Sequence, residues 1–343
     1  MYYEHRIRSP MRALQMDSPA PDSGTTRVVH TQTPTPGPGQ VSINVAYAGI
    51  NFMDVMTRRG DPGYAPFGWP LVAGLEVAGT VRAAGQGVGN LRVGDRVAAK
   101  VSGGGFAEVA VADSNLVAPV PDRLDLSAAA AAPLMLTTAV LLLRDVAQLR
   151  AGERLFMHAV SGGVGSVVPQ VAQTLGVGVR VGSVSRPSSI AAATAAGWDR
   201  VLHHDDTLEH SARRAVGGGF DVILDPSGTT SLDLDLAIAA PGARIVLFGN
   251  AGGTAPAALP PFGRLLVGNV GLLGFSITAL SRTNPDRVTD AVATGLDMLD
   301  QGQVRMPVTV IESLTDVGAV HDLLANRAGA GKYVVHVSDP ASI

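Results

Sequence analysis

Short runs of alternating hydrophobic and polar residues occupy the chain from Val41 to Val120. Gly-, Pro- and Asp-rich turns such as GNLRVGD and SGGG separate them. The main runs are QVSINVAYAGI, EVAGTVRAAG, DRVAAKV and FAEVAVA. A two-residue period at this spacing indicates short antiparallel strands, so we predict a compact, barrel-like antiparallel domain. The residues before about Pro36 show no clear period and are predicted to be irregular.

The pattern changes after Leu126, where helical stretches alternate with short runs rich in β-branched residues. Those runs are RLFMHAV (154–160), VGVRVGSV (177–184), FDVILD (220–225) and ARIVLFG (243–249). Strands that alternate with helices indicate a parallel, doubly wound sheet. The closing segments VRMPVTVIES, LTDVGAVHDLLANR and KYVVHVS differ from a further crossover unit and are predicted to rejoin the first domain. We therefore predict an α/β fold with a discontinuous first domain (1–128 with 280–343) and a second domain (129–279).

Composition narrows the possible functions. The chain has 343 residues, of which 46% are hydrophobic and 16% charged, so it can bury two cores. The net charge of −3 argues against a nucleic-acid partner, because phosphate binding needs a basic surface. Cysteine is absent, which excludes disulfides, a thiolate nucleophile and cysteine-ligated zinc.

One apolar segment, SAAAAAPLMLTTAVLLL (127–143), has to be weighed as a membrane span. It falls short of the roughly 20 apolar residues that a span requires, and Pro133 interrupts it. We predict a buried helix that joins the two domains, and no membrane partner. The first residues lack a secretion-signal pattern, so a cytoplasmic location is expected.

A glycine-rich turn follows the first run of the second domain, within RLFMHAVSGGVGSVVPQVAQTLG. Glycines allow a tight turn through which backbone amides and a helix N-terminus approach a pyrophosphate. The predicted cofactor-binding residues here are Ser161, Gly162, Gly163, Val164 and Gly165, the alternative being a plain surface turn. Pro169 lies inside the predicted helix, where it removes a backbone hydrogen bond. The sequence offers no functional explanation for this proline.

The end of the next predicted strand distinguishes NADPH from NADH. A carboxylate there would accept a hydrogen bond from the ribose 2′-hydroxyl of NADH. This chain has Ser185 and Arg186 instead, which can bind a 2′-phosphate. We predict NADPH as the cofactor, with a solvated loop charge at Arg186 as the alternative.

Several segments, in this order, resemble the medium-chain dehydrogenase/reductase superfamily, specifically its quinone oxidoreductase branch. They are GINFMDVMTRRG (49–60), PLVAGLEVAGTV (70–81), GVGNLRVGDRVA (87–98), GGFAEVAV (104–111), LTTAVLLL (136–143), HAVSGGVGSVVPQVAQ (158–173), FDVILDPSG (220–228) and GKYVVHV (331–337). The resemblance implies a GroES-like β-barrel catalytic domain and a Rossmann domain inserted before the last strands.

The chain departs from the zinc alcohol dehydrogenase pattern at the metal ligands. Asn51 stands where those enzymes place their first catalytic cysteine, and Leu75 replaces the histidine of their Gly-His-Glu. Catalytic zinc needs three protein ligands, and only a carboxylate at Glu76 remains. We therefore predict no metal. The pair His203–His204 is not predicted to bind metal either, because adjacent strand residues point to opposite faces.

The resemblance also implies positions for the catalytic residues. Asn51 and Asp54 are expected near the nicotinamide, where Asn51 could donate a hydrogen bond to a carbonyl oxygen that gains negative charge. The alternative is that both residues only hold their loop in place. Tyr64 could act as a phenolic donor or a stacking surface, or be an ordinary loop aromatic.

Further cofactor contacts are implied by the same resemblance. Thr138 is expected at the nicotinamide, with Thr137 as a one-residue alternative, and Lys332 either at the cofactor or in a solvated turn. The other positions are Phe248, Gly249, Asn250 and Phe275.

The predicted reaction is hydride transfer from NADPH to a small quinone or conjugated enone. One alternative is an enoyl reductase that acts on a thioester-bound polyketide or acyl chain. Another is a non-catalytic NADPH-binding sensor or structural protein. The uncharged, β-capable segment VGNVGLLGFSIT (267–278) is expected to pair across a two-fold axis, giving a homodimer, unless it is an interior strand.

Overall fold

The computed structural model describes residues 10–64, 68–250, 258–329 and 331–338. The strands are β1 Pro10–Met16, β2 Thr26–Gln32, β3 Gln40–Ile50, β4 Leu71–Val72, β5 Glu76–Ala84, β6 Arg96–Lys100, β7 Val109–Asp113, β8 Val117–Pro119, β9 Arg154–Met157, β10 Val179–Val184, β11 Arg200–His203, β12 Phe220–Asp225, β13 Ala239–Leu247, β14 Gly271–Gly274, β15 Val308–Ile311 and β16 Lys332–His336. The α-helices are α1 Phe52–Arg59, α2 Leu126–Ala129, α3 Thr137–Val140, α4 Gly163–Thr174, α5 Ile190–Ala195, α6 Leu208–Val216, α7 Leu232–Ile238, α8 Phe262–Gly268, α9 Ile277–Thr283, α10 Pro285–Asp300 and α11 Val317–Ala325.

The chain divides into two compact units, and the first is discontinuous. It comprises Met1–Leu134 and Pro307–Ile343, while the second comprises Met135–Met306. The structure places the return to the first unit at Pro307 rather than at residue 280. The reason is that α10 buries its apolar face, including Val288 and Val292, within the second unit and packs on α3.

The first unit is built around β3, which pairs with three other strands. It pairs with β5 along one edge, and with β7 and then β16 along the other. The pairing with β5 is broken by two register shifts. At one of them a Cβ on Gly79 would lie 1.9 Å from the carbonyl oxygen of Asn44, so only glycine fits. The seven-stranded sheet has the order β15-β16-β3-β5-β6-β8, with β7 off this path. It is antiparallel except for β15 and β16, close to the predicted barrel-like domain.

The prediction of an irregular N-terminal stretch is wrong. β1 and β2 form an antiparallel pair, and β1 also pairs with β4. β1 buries Met11, Ala13, Leu14 and Met16, whereas β2 has no fully buried residue. A strand that is half exposed on both faces carries no two-residue hydrophobic period, which explains why the pattern missed it.

The second unit contains a six-stranded parallel sheet with the order β11-β10-β9-β12-β13-β14. This is the Rossmann order, in which the strand sequence reverses between β9 and β12. The four runs predicted as strands correspond to β9, β10, β12 and β13. The predicted edge at 267–278 contains β14, which among the described residues pairs only with β13. The interior-strand alternative is therefore wrong. β11 was not predicted, because it is a four-residue edge strand without a fully buried side chain.

The helical segment Leu126–Val146 contains the boundary between the two units. It includes α2, α3 and two π-helical stretches. By length and composition it could cross a membrane, with a mean hydropathy of 2.0 in its most apolar window. Within that window 83% is buried inside the protein, as expected for a core helix. The prediction of a buried helix here is confirmed.

Candidate functional site

A buried ion pair joins two distant parts of the first unit. The side chains of Lys332 in β16 and Glu76 in β5 are 3% and 0% exposed, and Lys332 Nζ lies 2.5 Å from Glu76 Oε1. The same ammonium donates to Asn51 Oδ1 at 2.6 Å and to the carbonyl oxygen of Ile50 at 3.1 Å. All three donors of the ammonium therefore have partners within this unit.

The Glu76 carboxylate is fully paired as well. Its Oε1 also accepts from Asn51 Nδ2 at 2.8 Å, and its Oε2 accepts from the backbone amide of Leu134 at 2.7 Å. A Cβ on Gly49 would lie 2.2 Å from Oε1, so β3 passes close beneath the carboxylate and needs glycine at this point. We call Asn51, Glu76 and Lys332 the ion-pair network. It is a satisfied polar cluster, the condition under which a buried charge is tolerated.

Asn51 and Asp54, predicted as a pair, lie together at the start of α1. The backbone amide of Asn51 donates to Asp54 Oδ2 at 2.8 Å. This contact supports the alternative that the pair holds its loop. Burial raises the pKa of Asp54 to about 7. The hydrogen bond from the Asn51 backbone amide, and then the positive charge of Lys332, act to lower this pKa but do not outweigh burial. Asp54 can therefore carry a proton near neutral pH.

Tyr64 follows α1 and is half-buried. The hydroxyl of Thr57 donates to its carbonyl oxygen at 2.9 Å, which ties this turn to the helix. Burial, and then the nearby charge of Asp61, raise the pKa of the Tyr64 phenol. The phenol therefore remains protonated, and able to donate, at neutral pH. Its catalytic role stays a prediction.

In the second unit, the glycine-rich turn leads directly into α4. The helix begins at Gly163, with Gly162 as its extended N-cap residue. A Cβ on Gly165 would lie 2.5 Å from the Cα of Val160, so the turn is too tight for any other residue. The first amides of a helix have no partner within the helix. Here they form a cradle suited to a pyrophosphate.

The remaining predicted cofactor residues of the second unit lie in two places. Ser185 and Arg186 follow β10 directly, and Arg186 has no ion-pair partner within the described part of the chain. The Phe248 amide donates to the carbonyl of Asp225, and the Phe275 amide to that of Leu247. Gly249 and Asn250 continue from Phe248. These segments follow parallel strands and so gather at one edge of the sheet, the ligand-binding edge of such folds. Thr138 lies in α3, which packs against α4.

A second buried network, at the ends of β9 and β10, was not predicted from the sequence. The imidazole of His158 contacts Ser183 Oγ at 3.0 Å and Asp235 Oδ1 at 2.8 Å. Burial opposes protonation of His158, yet the contact with Asp235 raises its pKa. Burial and then Asp235 raise the pKa of Asp225 to about 6. Although Ser183, His158 and Asp235 have the composition of a hydrolase triad, the serine is 1% exposed and cannot reach a substrate.

Known proteins match both units. A model of the alcohol dehydrogenase GroES-like domain matches residues 37–122, and one named zinc-binding dehydrogenase matches residues 163–294. The quinone oxidoreductase of Pseudomonas aeruginosa is 31% identical over 314 residues, covering 89% of this chain and 93% of that protein.

The chain belongs to the medium-chain dehydrogenase/reductase superfamily, in its quinone oxidoreductase-like branch. The predicted fold of a GroES-like and a Rossmann domain is confirmed. The structure of mycobacterial Rv1454c complexed with NADPH shares 30% identity and a TM-score of 0.86, covering 95% of this chain and 99% of that one.

A second group of relatives consists of much larger proteins. The pikromycin polyketide synthase component PikAII of Streptomyces venezuelae is 34% identical over 293 residues. That match covers 81% of this chain and 7% of the synthase component. This superfamily member therefore spans only a small part of the polyketide synthases that it matches.

The residues of this chain do not fit the zinc ion named in the second family model. No group of three or more His, Cys, Asp or Glu side chains is positioned to hold a metal within the described ranges. Of the three family ligand positions, two hold Asn51 and Leu75. The third holds Glu76, and both of its oxygens are already paired. An ammonium group, from Lys332, is the cation bound to this carboxylate.

The ion-pair network leads to a stability prediction. Lys332→Met should leave Glu76 buried without its cation and lower the free energy of unfolding by about 3–5 kcal/mol. The double variant Lys332→Met/Glu76→Gln removes both charges and should recover most of this loss. Urea unfolding followed by circular dichroism measures both.

Arg12→Met is a matched control, because the Arg12–Glu108 ion pair, at 2.7 Å, is exposed at the arginine. Its effect should stay below about 1 kcal/mol. If the Lys332→Met variant is as stable as this control, the ion-pair network does not stabilise the fold, and the prediction is wrong.

Proposed function

We propose that this protein is a zinc-independent, NADPH-dependent oxidoreductase that transfers hydride to a quinone or a conjugated enone. The observation that carries the proposal is the ion-pair network. It places Lys332 and Asn51 around the only carboxylate left from the family's zinc ligands. Without a Lewis acid, unactivated alcohols and ketones are poor substrates, whereas conjugated acceptors need only orientation and a hydrogen-bond donor.

The glycine-rich turn and the end of β10 are the proposed cofactor site. When bound, NADPH supplies the hydride. The free amides at the start of α4 would bind its pyrophosphate, and Arg186 its 2′-phosphate. The NADPH complex of the 30%-identical mycobacterial protein supports this cofactor. A direct contact between Lys332 and the cofactor would require the ammonium to give up one of its three present partners.

Asn51 is the proposed donor to the substrate oxygen. Its Nδ2 donates to Glu76 at 2.8 Å, while its other contact, to the Gly49 carbonyl at 3.4 Å, is weak. One amide hydrogen can therefore turn to a substrate oxygen. Because Lys332 donates to Asn51 Oδ1, it polarises the amide and strengthens Nδ2 as a donor. As hydride adds to the conjugated carbon, the carbonyl oxygen receives the displaced electron pair, and a proton from water or from Tyr64 completes the reduction. Asp54 can hold a proton nearby.

A second candidate is an enoyl reductase that acts on a thioester-bound chain. The 34% identity to the polyketide synthase component supports it, and the hydride step is the same. The third possibility, a non-catalytic NADPH-binding protein, predicts binding without turnover.

The three candidates predict different activities. Purified protein should oxidise NADPH with a simple benzoquinone or a small enone, measured by loss of nicotinamide absorbance, and a chelator should leave the rate unchanged. Turnover confined to an enoyl thioester would favour the enoyl reductase. Binding of NADPH without any turnover would favour the non-catalytic protein. Activity lost with chelator and restored by zinc would refute zinc independence.

Arg186 should determine cofactor preference. Arg186→Ala removes a charge-assisted bond of about 1.5–3 kcal/mol and should weaken NADPH binding at least tenfold, while NADH binding changes little. Equilibrium titrations followed by nicotinamide fluorescence measure both constants. Arg200→Ala, a charge deletion at the other end of the neighbouring strand β11, is the control. Equal affinity of the wild type for the two cofactors would rule out the phosphate clamp.

The exposed edge strand β14 supports the prediction of a C2 homodimer. β14 is uncharged, and within the described ranges its second edge pairs with no strand, an edge that proteins usually cover or pair. The helix α8 just before it exposes Phe262, Leu266 and Val267. Leu273→Pro removes a backbone donor and should convert dimers to monomers in light scattering, whereas Leu273→Val should not. A monomeric wild type at micromolar concentration would contradict the prediction.

A further inference from the structure

Pro169 breaks the hydrogen-bond ladder of α4 at a specific carbonyl group. In an α-helix the amide of residue 169 would donate to the carbonyl oxygen of residue 165. Proline has no amide hydrogen, so this bond cannot form. The carbonyl belongs to Gly165, the last glycine of the phosphate-binding turn, and both residues are buried.

Trp198 supplies the missing donor. Its indole Nε1 donates to the carbonyl oxygen of Gly165 at 2.8 Å, and its side chain is 2% exposed. Trp198 reaches this point from the loop between α5 and β11. The preceding residue, Gly197, has a φ of +111°, and a Cβ there would lie 3.7 Å from the Cβ of Pro169. The loop is therefore seated against the proline ring, next to the carbonyl that the proline leaves free.

Gly165 is a sensitive place for such a contact. A Cβ on it would lie 2.5 Å from the backbone of Val160, so the first turn of α4 is in tight contact with the segment that follows β9. A shift of the Gly165 peptide would be transmitted to the neighbouring amides that are proposed to bind the pyrophosphate. A carbonyl left unpaired in this buried place would favour such a shift.

We propose that Trp198 is a positioning residue for the NADPH phosphate site, and that its indole replaces the helical hydrogen bond which Pro169 removes. The pair acts as a unit: Pro169 frees the Gly165 carbonyl and seats the loop, and Trp198 binds the carbonyl. This inference rests on the proposed NADPH site. It gives Pro169, unexplained by the sequence, a defined partner.

A two-residue cycle tests the proposal by direct binding rather than activity. Trp198→Phe keeps an aromatic ring but removes the donor, and Pro169→Ala restores a helical amide that can bond to Gly165. The NADPH dissociation constant of the wild type, both single variants and the double variant is measured by titration of nicotinamide fluorescence. Urea unfolding of the same four proteins reports their stability.

The single variant Trp198→Phe should weaken NADPH binding about five- to tenfold. Pro169→Ala alone should change it less than about twofold, because the indole is still present. The double variant should return to within about twofold of the wild type. The smaller phenyl ring leaves the same void in the single and double variants, so recovery isolates the hydrogen bond.

The outcomes separate this inference from the cofactor proposal. A wild type that does not bind NADPH would refute the cofactor assignment and, with it, this inference. A wild type that binds, with Trp198→Phe equally tight but less stable, would make the contact purely structural and overturn the inference alone. A double variant as weak as the single variant would show that the indole acts through packing, which also overturns it.

Discussion

The burial of a carboxylate beside the backbone of β3 is the constraint on which the first unit depends. Glu76 has no exposed atom to solvate its charge, so its oxygens must find partners inside the protein. Those partners come from Asn51 at the end of β3, from the amide of Leu134, and from Lys332 in the segment that returns after the second unit. Satisfying one charge thus fixes three distant parts of the chain, and the return of β16 beside β3 brings the cation to it.

The same requirement, that a buried polar group be paired, governs the second unit at the level of the backbone. In the proposed cofactor site the glycine-rich turn leaves its first amides free for phosphate, while the carbonyl groups behind them need donors. Pro169 has no backbone amide hydrogen to donate to the Gly165 carbonyl, and the indole of Trp198, from a neighbouring loop, donates to it instead. The unpaired amides at the start of α4 therefore lie within one helical turn of the Gly165 carbonyl, which accepts its hydrogen bond from the Trp198 side chain.

The ion-pair network is the part of the structure on which the proposed reduction without a metal depends. An ammonium fixed by three hydrogen bonds keeps a positive charge beside the Asn51 amide at no cost of reorganisation during the reaction. Such a charge polarises a donor, whereas a metal ion would bind the substrate oxygen directly. The proposed function therefore limits the substrates to acceptors that are already activated by conjugation.

The sequence by itself determined four strands of the Rossmann sheet, the glycine-rich turn before α4 and the replacement of the family's zinc ligands at two positions. Each depends on local features: short apolar runs that are mostly buried, glycines at a strand–helix junction, and the residue types at Asn51 and Leu75. The tertiary structure decided what no local pattern encodes. Lys332 and Glu76 are 256 residues apart in the sequence. Trp198 and Gly165 form a hydrogen bond although a strand and a helix separate them along the chain. The tertiary structure also decided that β1 pairs with β2, because the half-exposed strand β2 has no hydrophobic period of its own. It decided as well that the first unit resumes at Pro307, because this boundary depends on where α10 packs.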